Sequence, residues 1–163
     1  PDDQIPEGVV TLRLDRINES NKEGIAFTDP AGDEKVWAVF TADEVEPEFG
    51  VPGGELLQGF YLDSESCSSN KAAKKLAMTR KFIGQFMEAC EYPGKVDEVE
   101  DLIGAKAKAV IKHVKGTKPK DGEYPVFVNV DKWVPLDTPL GHYTNGGGEG
   151  GSKLTAADDN HPF

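Results

Sequence analysis

Two neighbouring segments in the second half of the chain have alternating patterns, the first with lysines and the second with aromatic residues at alternate positions. Residues 105–115 read AKAKAVIKHVK and residues 124–134 read YPVFVNVDKWV, an alternation typical of half-buried strands. Their outer faces and the loop between them carry Lys106, Lys108, Lys112, Lys118, Lys120, Phe127 and Trp133. Lysines neutralise phosphates and flat rings stack on bases, so this combination predicts binding to a single-stranded polynucleotide.

The second of these strands places its rings opposite a valine stripe. The pattern predicts Val126, Val128 and Val130 on the core face, and Phe127, Asn129, Asp131 and Trp133 on the outer face. Outward aromatic rings would expose apolar surface to water, which indicates that a ligand or a second subunit covers them.

Three residues of the earlier strands are second-rank candidates for the same surface: Arg13, Trp37 and Tyr61. Trp37 is more typical of a core or partly buried residue, and Tyr61 is equally compatible with either face. Alternating lysines also often mark only the solvent-facing side of a sheet. These simpler interpretations stay open at the level of sequence.

The charge distribution permits a basic groove on an acidic protein. The net charge is −11, which opposes binding to a polyanion. Residues 1–67 contain 4 basic and 16 acidic side chains, whereas residues 68–132 contain 13 and 9. Positive charge is therefore concentrated in one part of the chain, where it can attract a nucleic acid locally.

The order of predicted elements favours one β-rich domain over residues 1–140. Strands are expected near residues 8–17, 24–29, 35–41 and 55–63, and a helix capped by residues 64–70 runs to about residue 90. Two further strands follow. We expect an OB-fold, a five-stranded Greek-key barrel with its helix between strands three and four; a sandwich is the weaker alternative.

No catalytic pattern is present, and we expect neither enzyme activity nor a cofactor. The carboxylate clusters at residues 43–48 and 97–101 lack a neighbouring histidine or apolar run, so they are interpreted as solvated charge. The glycines of residues 146–151 match GxGxxG without a preceding strand. The three histidines are far apart and lack ligand spacing, so a zinc site is not expected.

The end of the chain has the composition of a tethered peptide. Residues 141–153 are rich in glycine and predict a flexible linker, and residues 154–163 read LTAADDNHPF. Ten residues with one Leu and one Phe bury too little apolar surface to fold alone. A basic pocket with an apolar slot could capture this tip through Asp158, Asp159, Pro162 and Phe163.

The acidic tip ending in Pro-Phe after a flexible linker resembles the C-terminal tip of bacterial and phage single-stranded-DNA-binding proteins. Residues 80–137 are also similar in pattern to phage-encoded OB-fold proteins of that class. The resemblance implies single-stranded DNA as the ligand, and replication, recombination or repair proteins as partners of the tip.

We therefore expect sequence-independent binding of single-stranded DNA. The alternative is an acidic protein-interaction or DNA-mimic module that binds no nucleic acid. No signal region or membrane span is apparent and only two cysteines occur, so a reducing, cytoplasmic location is expected. The sequence does not decide between a monomer and a homo-oligomer.

Overall fold

The chain forms an antiparallel sheet with one long helix inserted between the fourth and fifth strands. The computed structural model describes residues 4–62 and 65–141. The elements are β1 (Gly8–Asn18), β2 (Phe27–Thr28), β3 (Glu34–Glu44), β4 (Glu55–Tyr61), α1 (Ala72–Ala89), a short 3-10 helix (Val99–Leu102), β5 (Lys106–Lys115) and β6 (Val126–Val134).

Strand β1 lies at the centre of the sheet. It pairs with β3 on one side and with β5 on the other, and β5 pairs in turn with β6. Strands β2 and β4 both pair with β3. The chain therefore crosses from β4 through α1 to the opposite side of β1, where the β5–β6 hairpin begins.

The core lies between the inner face of this sheet and the apolar stripe of α1. Strand β1 contributes Leu12 and Leu14, and the helix contributes Phe82 and Phe86, all of them buried. The Phe40 ring of β3 lies against both helix rings, with centroids 5.9 Å and 5.3 Å away. The core faces of the strands and the buried face of α1 thus meet in one cluster.

Three strands of the sheet each contain one extra residue, and in each case it is an aspartate. The pairing register shifts at Asp15 in β1, at Asp43 in β3 and at Asp131 in β6. Such a β-bulge leaves one residue unpaired and reverses the alternation of side chains beyond it. The bulges therefore decide which residues face the core and which face outward.

Two details of the predicted fold were wrong. The helix does not lie between the third and fourth strands, because the two-residue β2 brings the number of strands to six. The predicted side-chain cap is also absent among the described residues 65–70: the N-cap is Lys71, and its side chain makes no capping hydrogen bond. Ser69 instead bonds to Asp33 through both its hydroxyl and its backbone N–H.

Strand β1 also binds the last described residue of the chain. Gly141 exchanges two backbone hydrogen bonds with Val9, at 2.7 Å and 3.2 Å. The remaining residues of the predicted linker, and the tip with Asp158, Asp159, Pro162 and Phe163, lie outside the described residues. Within residues 4–62 and 65–141, no helix has the length and apolar character needed to cross a membrane.

Candidate nucleic-acid interface

Strand β5 presents its lysines on the outer face, as its alternation predicted. Ala107, Ala109 and Ile111 are buried in the core. Lys106 and Lys112 are exposed on the opposite side, and Lys108 is half-buried there. The prediction of a basic outer face on β5 is confirmed.

Much of the charge at one end of this face is already neutralised. The Asp43 carboxylate accepts hydrogen bonds from Lys106 Nζ at 2.8 Å and from Arg13 Nε at 3.3 Å. Arg13 also contacts Asp15, at 2.8 Å. Lys106 and Arg13 hold the pKa of Asp43 below its usual value, and Arg13 and Arg16 do the same for Asp15. The two bulge aspartates thus compete with any phosphate for Arg13 and Lys106.

The remaining predicted lysines differ in their availability. Lys108 donates a hydrogen bond to the backbone carbonyl of Thr138 at 2.6 Å, which directs its ammonium toward the segment after β6. Lys112, Lys118 and Lys120 are exposed, and none of them forms an ion pair with the residues that the structure describes. Lys112 lies on β5, and Lys118 and Lys120 lie in the β5–β6 loop; these three of the predicted lysines are free to meet a phosphate.

The β5–β6 hairpin adds exposed rings to those lysines. Phe127 is 53% exposed and Tyr124 is 47% exposed. Phe127 pairs across the strands with Val114, which is also exposed. A Cβ on Gly116 would lie 3.0 Å from the Phe127 ring, so the absence of a side chain there lets the ring pack close to the loop backbone. Phe127 therefore faces outward as predicted, on a basic and aromatic hairpin.

Trp133 does not face outward, contrary to the prediction. The bulge at Asp131 reverses the alternation, so that Trp133 packs against the same core as Val128 and Val130. Its ring centroid lies 5.3 Å from that of Phe86, 5.6 Å from Phe82 and 6.2 Å from Phe40.

The accessible edge of Trp133 lines a cavity of about 430 Å³ that also contains Glu88 and Glu91. Two carboxylates in the lining of this cavity repel a phosphate backbone. The position of Trp133 is therefore that of a packing residue, and the predicted stacking role has no support from its surroundings.

A second aromatic surface lies on the outer face of β3 and β4. In the sheet register Trp37 is opposite Gly59, and Lys35 is opposite both Tyr61 and Phe27. Phe27 and Trp37 meet edge to face with centroids 6.5 Å apart. We call these four side chains (Phe27, Lys35, Trp37 and Tyr61) the β3–β4 platform. Each is partly exposed, so the platform offers ring surface to solvent.

Lys35 occupies the middle of this platform. Its ammonium lies 4.2 Å from the centre of the Trp37 ring and 6.0 Å from that of Tyr61. A cation–π contact of this kind contributes roughly 0.5–1 kcal/mol at an exposed site. Lys35 forms no ion pair with the described residues.

Tyr61 is held in place by a network beneath the platform. Its hydroxyl donates to Asp29 at 2.8 Å, and Lys75 Nζ donates to Asp29 and to Asp33 at 2.6 Å each. Burial, followed by the bond to Asp29, raises the pKa of Tyr61 to about 12. Lys75 and Ser69 lower the pKa of Asp33 to about 2. The network ties the β2–β3 turn to α1 and fixes the orientation of the Tyr61 ring.

Sequence reasoning missed three residues of these surfaces: Phe27, Lys35 and Tyr124. Two signals were present in the sequence. Lys35 and Trp37 are two residues apart on one strand, which places them on the same face. A glycine inside a strand is the second signal, because it indicates that another group approaches closely; Gly59 pairs regularly with Trp37, and the space above it holds the Lys35 side chain.

No model of a known protein family matches this chain, and no curated protein resembles it significantly in sequence.

Proposed function

We propose that the protein binds single-stranded DNA without sequence preference, through the β3–β4 platform and the β5–β6 hairpin. The proposal also assigns the domain to the OB-fold class. Setting aside β2, the strands follow the order β4–β3–β1–β5–β6, with α1 between β4 and β5. In an OB-fold the second and third strands and the loop between strands four and five bind oligonucleotides. In this protein those elements are β3, β4 and the hairpin loop.

The observation that carries the proposal is the platform formed by Trp37 and Tyr61. Two partly exposed rings stand on adjacent strands, and Lys35 lies between them. Stacking of one base on an aromatic side chain contributes roughly 1–3 kcal/mol and accepts every base. This exceeds the contribution of an exposed cation–π contact, so a base is the stronger occupant of the ring face.

The hairpin provides the electrostatic part of the proposed interface. Lys112, Lys118 and Lys120 are free of ion pairs with the described residues, and Phe127 lies on the same hairpin. Each phosphate neutralised on a single strand contributes about −0.7 to the slope of log K against log salt. Phosphate contacts carry no direct sequence information, which is consistent with binding to DNA of mixed sequence.

A salt-dependent mobility-shift series with single-stranded DNA, duplex DNA and RNA tests the proposal. Between about 50 and about 200 mM salt, we expect binding to single-stranded DNA of mixed sequence and a loss of affinity as salt rises. Equal binding to duplex DNA, or no binding at the lowest salt, contradicts it.

A second candidate is an acidic module that binds a basic protein and no nucleic acid. The ion pairs of Arg13, Arg16 and Lys106 with carboxylates favour it, because basic side chains that are paired in this way are less available to bind a phosphate. This candidate predicts that neither tryptophan responds to oligo-dT and that a basic protein binds in a salt-dependent manner.

The proposed role of the C-terminal tip completes the functional hypothesis. On the basis of its resemblance to the tips of single-stranded-DNA-binding proteins, Asp158, Asp159, Pro162 and Phe163 recruit replication, recombination or repair proteins. A chain lacking residues 158–163 is expected to bind DNA as well as, or better than, the full chain and to lose partner binding. A weaker DNA complex after truncation contradicts competition between the tip and DNA.

A further inference from the structure

The Lys35 ammonium covers the ring face on which a base would stack. We propose that Lys35 holds the place of a base in the free protein, and that it leaves the Trp37 ring to pair with a phosphate when a single strand binds. This inference rests on the proposed function. It adds that Lys35 has two positions, one on the Trp37 ring in the free protein and one at a phosphate in the complex.

The short distance between the Lys35 ammonium and the Trp37 ring means that Lys35 and a stacked base cannot occupy this ring face together. A stacked ring places its atoms directly against the indole face, with centroids a few ångströms apart. The Lys35 ammonium lies 4.2 Å from the Trp37 centroid and therefore fills the same space. Stacking on this face requires the ammonium to move.

Nothing in the described surroundings holds Lys35 in place apart from the rings. Its side chain passes over Gly59, where a Cβ would lie 3.3 Å from Lys35 Cδ and 3.5 Å from Trp37 Cζ3. The missing side chain at position 59 leaves the space in which the lysine stem lies. A lysine is a flexible point charge, so it can leave the ring without moving the backbone.

Lys75, in the network beneath the β3–β4 platform, provides the contrast. Its ammonium lies 5.4 Å from the Tyr61 ring, but it also bonds to Asp29 and Asp33 at 2.6 Å each. Moving Lys75 would break two ion pairs, whereas moving Lys35 to a phosphate replaces a ring contact by an ion pair. Lys35 is therefore the movable cation and Lys75 the fixed one.

Nuclear magnetic resonance of the full chain, labelled with ¹³C-lysine, follows this movement directly. In the free protein the Lys35 ε-methylene signal, assigned by its loss in Lys35→Arg, should be shifted upfield of the other lysines by the indole ring. Trp37→Leu should abolish that shift. Saturation with oligo-dT of about 16 nucleotides should return the signal to the position of the other lysines. An upfield shift that persists in the saturated complex overturns the proposal.

A salt series supplies the second measurement. Lys35→Gln should reduce the magnitude of the salt slope by about 0.7, the contribution of one phosphate on a single strand. Lys95→Gln, an exposed lysine in the turn after α1, removes the same charge and should leave the slope unchanged. A Lys35→Gln protein with unchanged slope, or with tighter binding, contradicts the transfer to a phosphate.

If the wild type binds no single strand, the proposed function fails and this inference fails with it. If the wild type binds and only the lysine results disagree, the proposed function stands.

Discussion

Lys106 Nζ and Asp43 Oδ2 form an ion pair of 2.8 Å across the outer face of the sheet. Asp43 is the extra residue of a β-bulge in β3. The same carboxylate contacts Arg13 at 3.3 Å. One aspartate therefore neutralises part of the basic surface that the sequence indicates. Of the lysines predicted for this surface, Lys112, Lys118 and Lys120 on the β5–β6 hairpin form no ion pair with the described residues.

Replacing Asp43 should strengthen DNA binding. Asp43→Asn frees Lys106 and one side of Arg13, so we expect higher affinity for oligo-dT and a salt slope steeper by up to about 0.7 for each lysine or arginine released. The cost in folding free energy should stay within about 1 kcal/mol, because the pair is partly exposed. Glu48→Gln, in the exposed loop after β3, removes an equal charge and is the control. Equal effects of the two variants would assign the gain to net charge alone.

Substitutions of Trp133 and Phe127 should have different effects, the first on folding stability and the second on DNA binding. Trp133→Ala removes a ring that packs on Phe40, Phe82 and Phe86, and should lower the free energy of unfolding by about 3 kcal/mol. Phe127→Ala, at an exposed position, should change it by less than about 1 kcal/mol and should weaken binding to oligo-dT by about tenfold. Urea denaturation and a binding titration measure the two effects. The reverse pattern would restore Trp133 as the stacking residue.

Tyr61 allows its ring to be tested apart from its hydroxyl. Tyr61→Phe keeps the ring and loses the bond to Asp29, so binding should change by less than about threefold. Tyr61→Leu removes the ring and should cost roughly 1–3 kcal/mol of binding free energy, which corresponds to about 5-fold to 150-fold. Fluorescence anisotropy with a labelled oligonucleotide distinguishes them. Similar losses for both variants would indicate that the hydroxyl network, and not stacking, supports binding.

Asp33 should make stability dependent on acid pH. Its pKa is about 2 in the folded protein against an ordinary value of 3.8, so the unfolded chain binds the proton more readily. Its ionised form therefore stabilises the fold fully above about pH 4, and this contribution is lost as the pH falls toward 2. Asp33→Asn should lower the melting temperature at pH 7, with a difference from wild type that shrinks toward pH 2. A difference that is constant with pH would refute the linkage; Asp137→Asn, exposed after β6, is the control.

The sequence predicted those features that depend on periodicity. Alternation identified the core face of β5. A strand was expected at residues 24–29, where only Phe27–Thr28 form one; the five-stranded barrel left this short strand out of its numbering, which misplaced the helix by one strand. The helix begins close to where it was expected, but its predicted side-chain cap failed because Ser69 bonds to Asp33, a residue 36 positions away in sequence.

The site was predicted less completely than the fold, and the bulges are the physical reason. A single extra residue at Asp131 turns Trp133 inward. The alternation of residues 124–134 does not indicate this bulge. The ion pairs of Arg13 and Lys106 depend on Asp43, which the bulge in β3 displaces from the regular pattern. Lys35 was missed because its importance lies in its contact with Trp37, and a sequence shows spacing but not contact.

The fluorescence of Trp37 tests the central claim most directly. In a Trp133→Phe protein, Trp37 is the only tryptophan, so its emission reports on the β3–β4 platform alone. If bases stack on the platform, oligo-dT should quench this emission with saturation, and rising salt should reverse the quenching. Emission that does not change while a mobility shift shows bound DNA would place the strand elsewhere on the protein, and would contradict the platform as the binding surface.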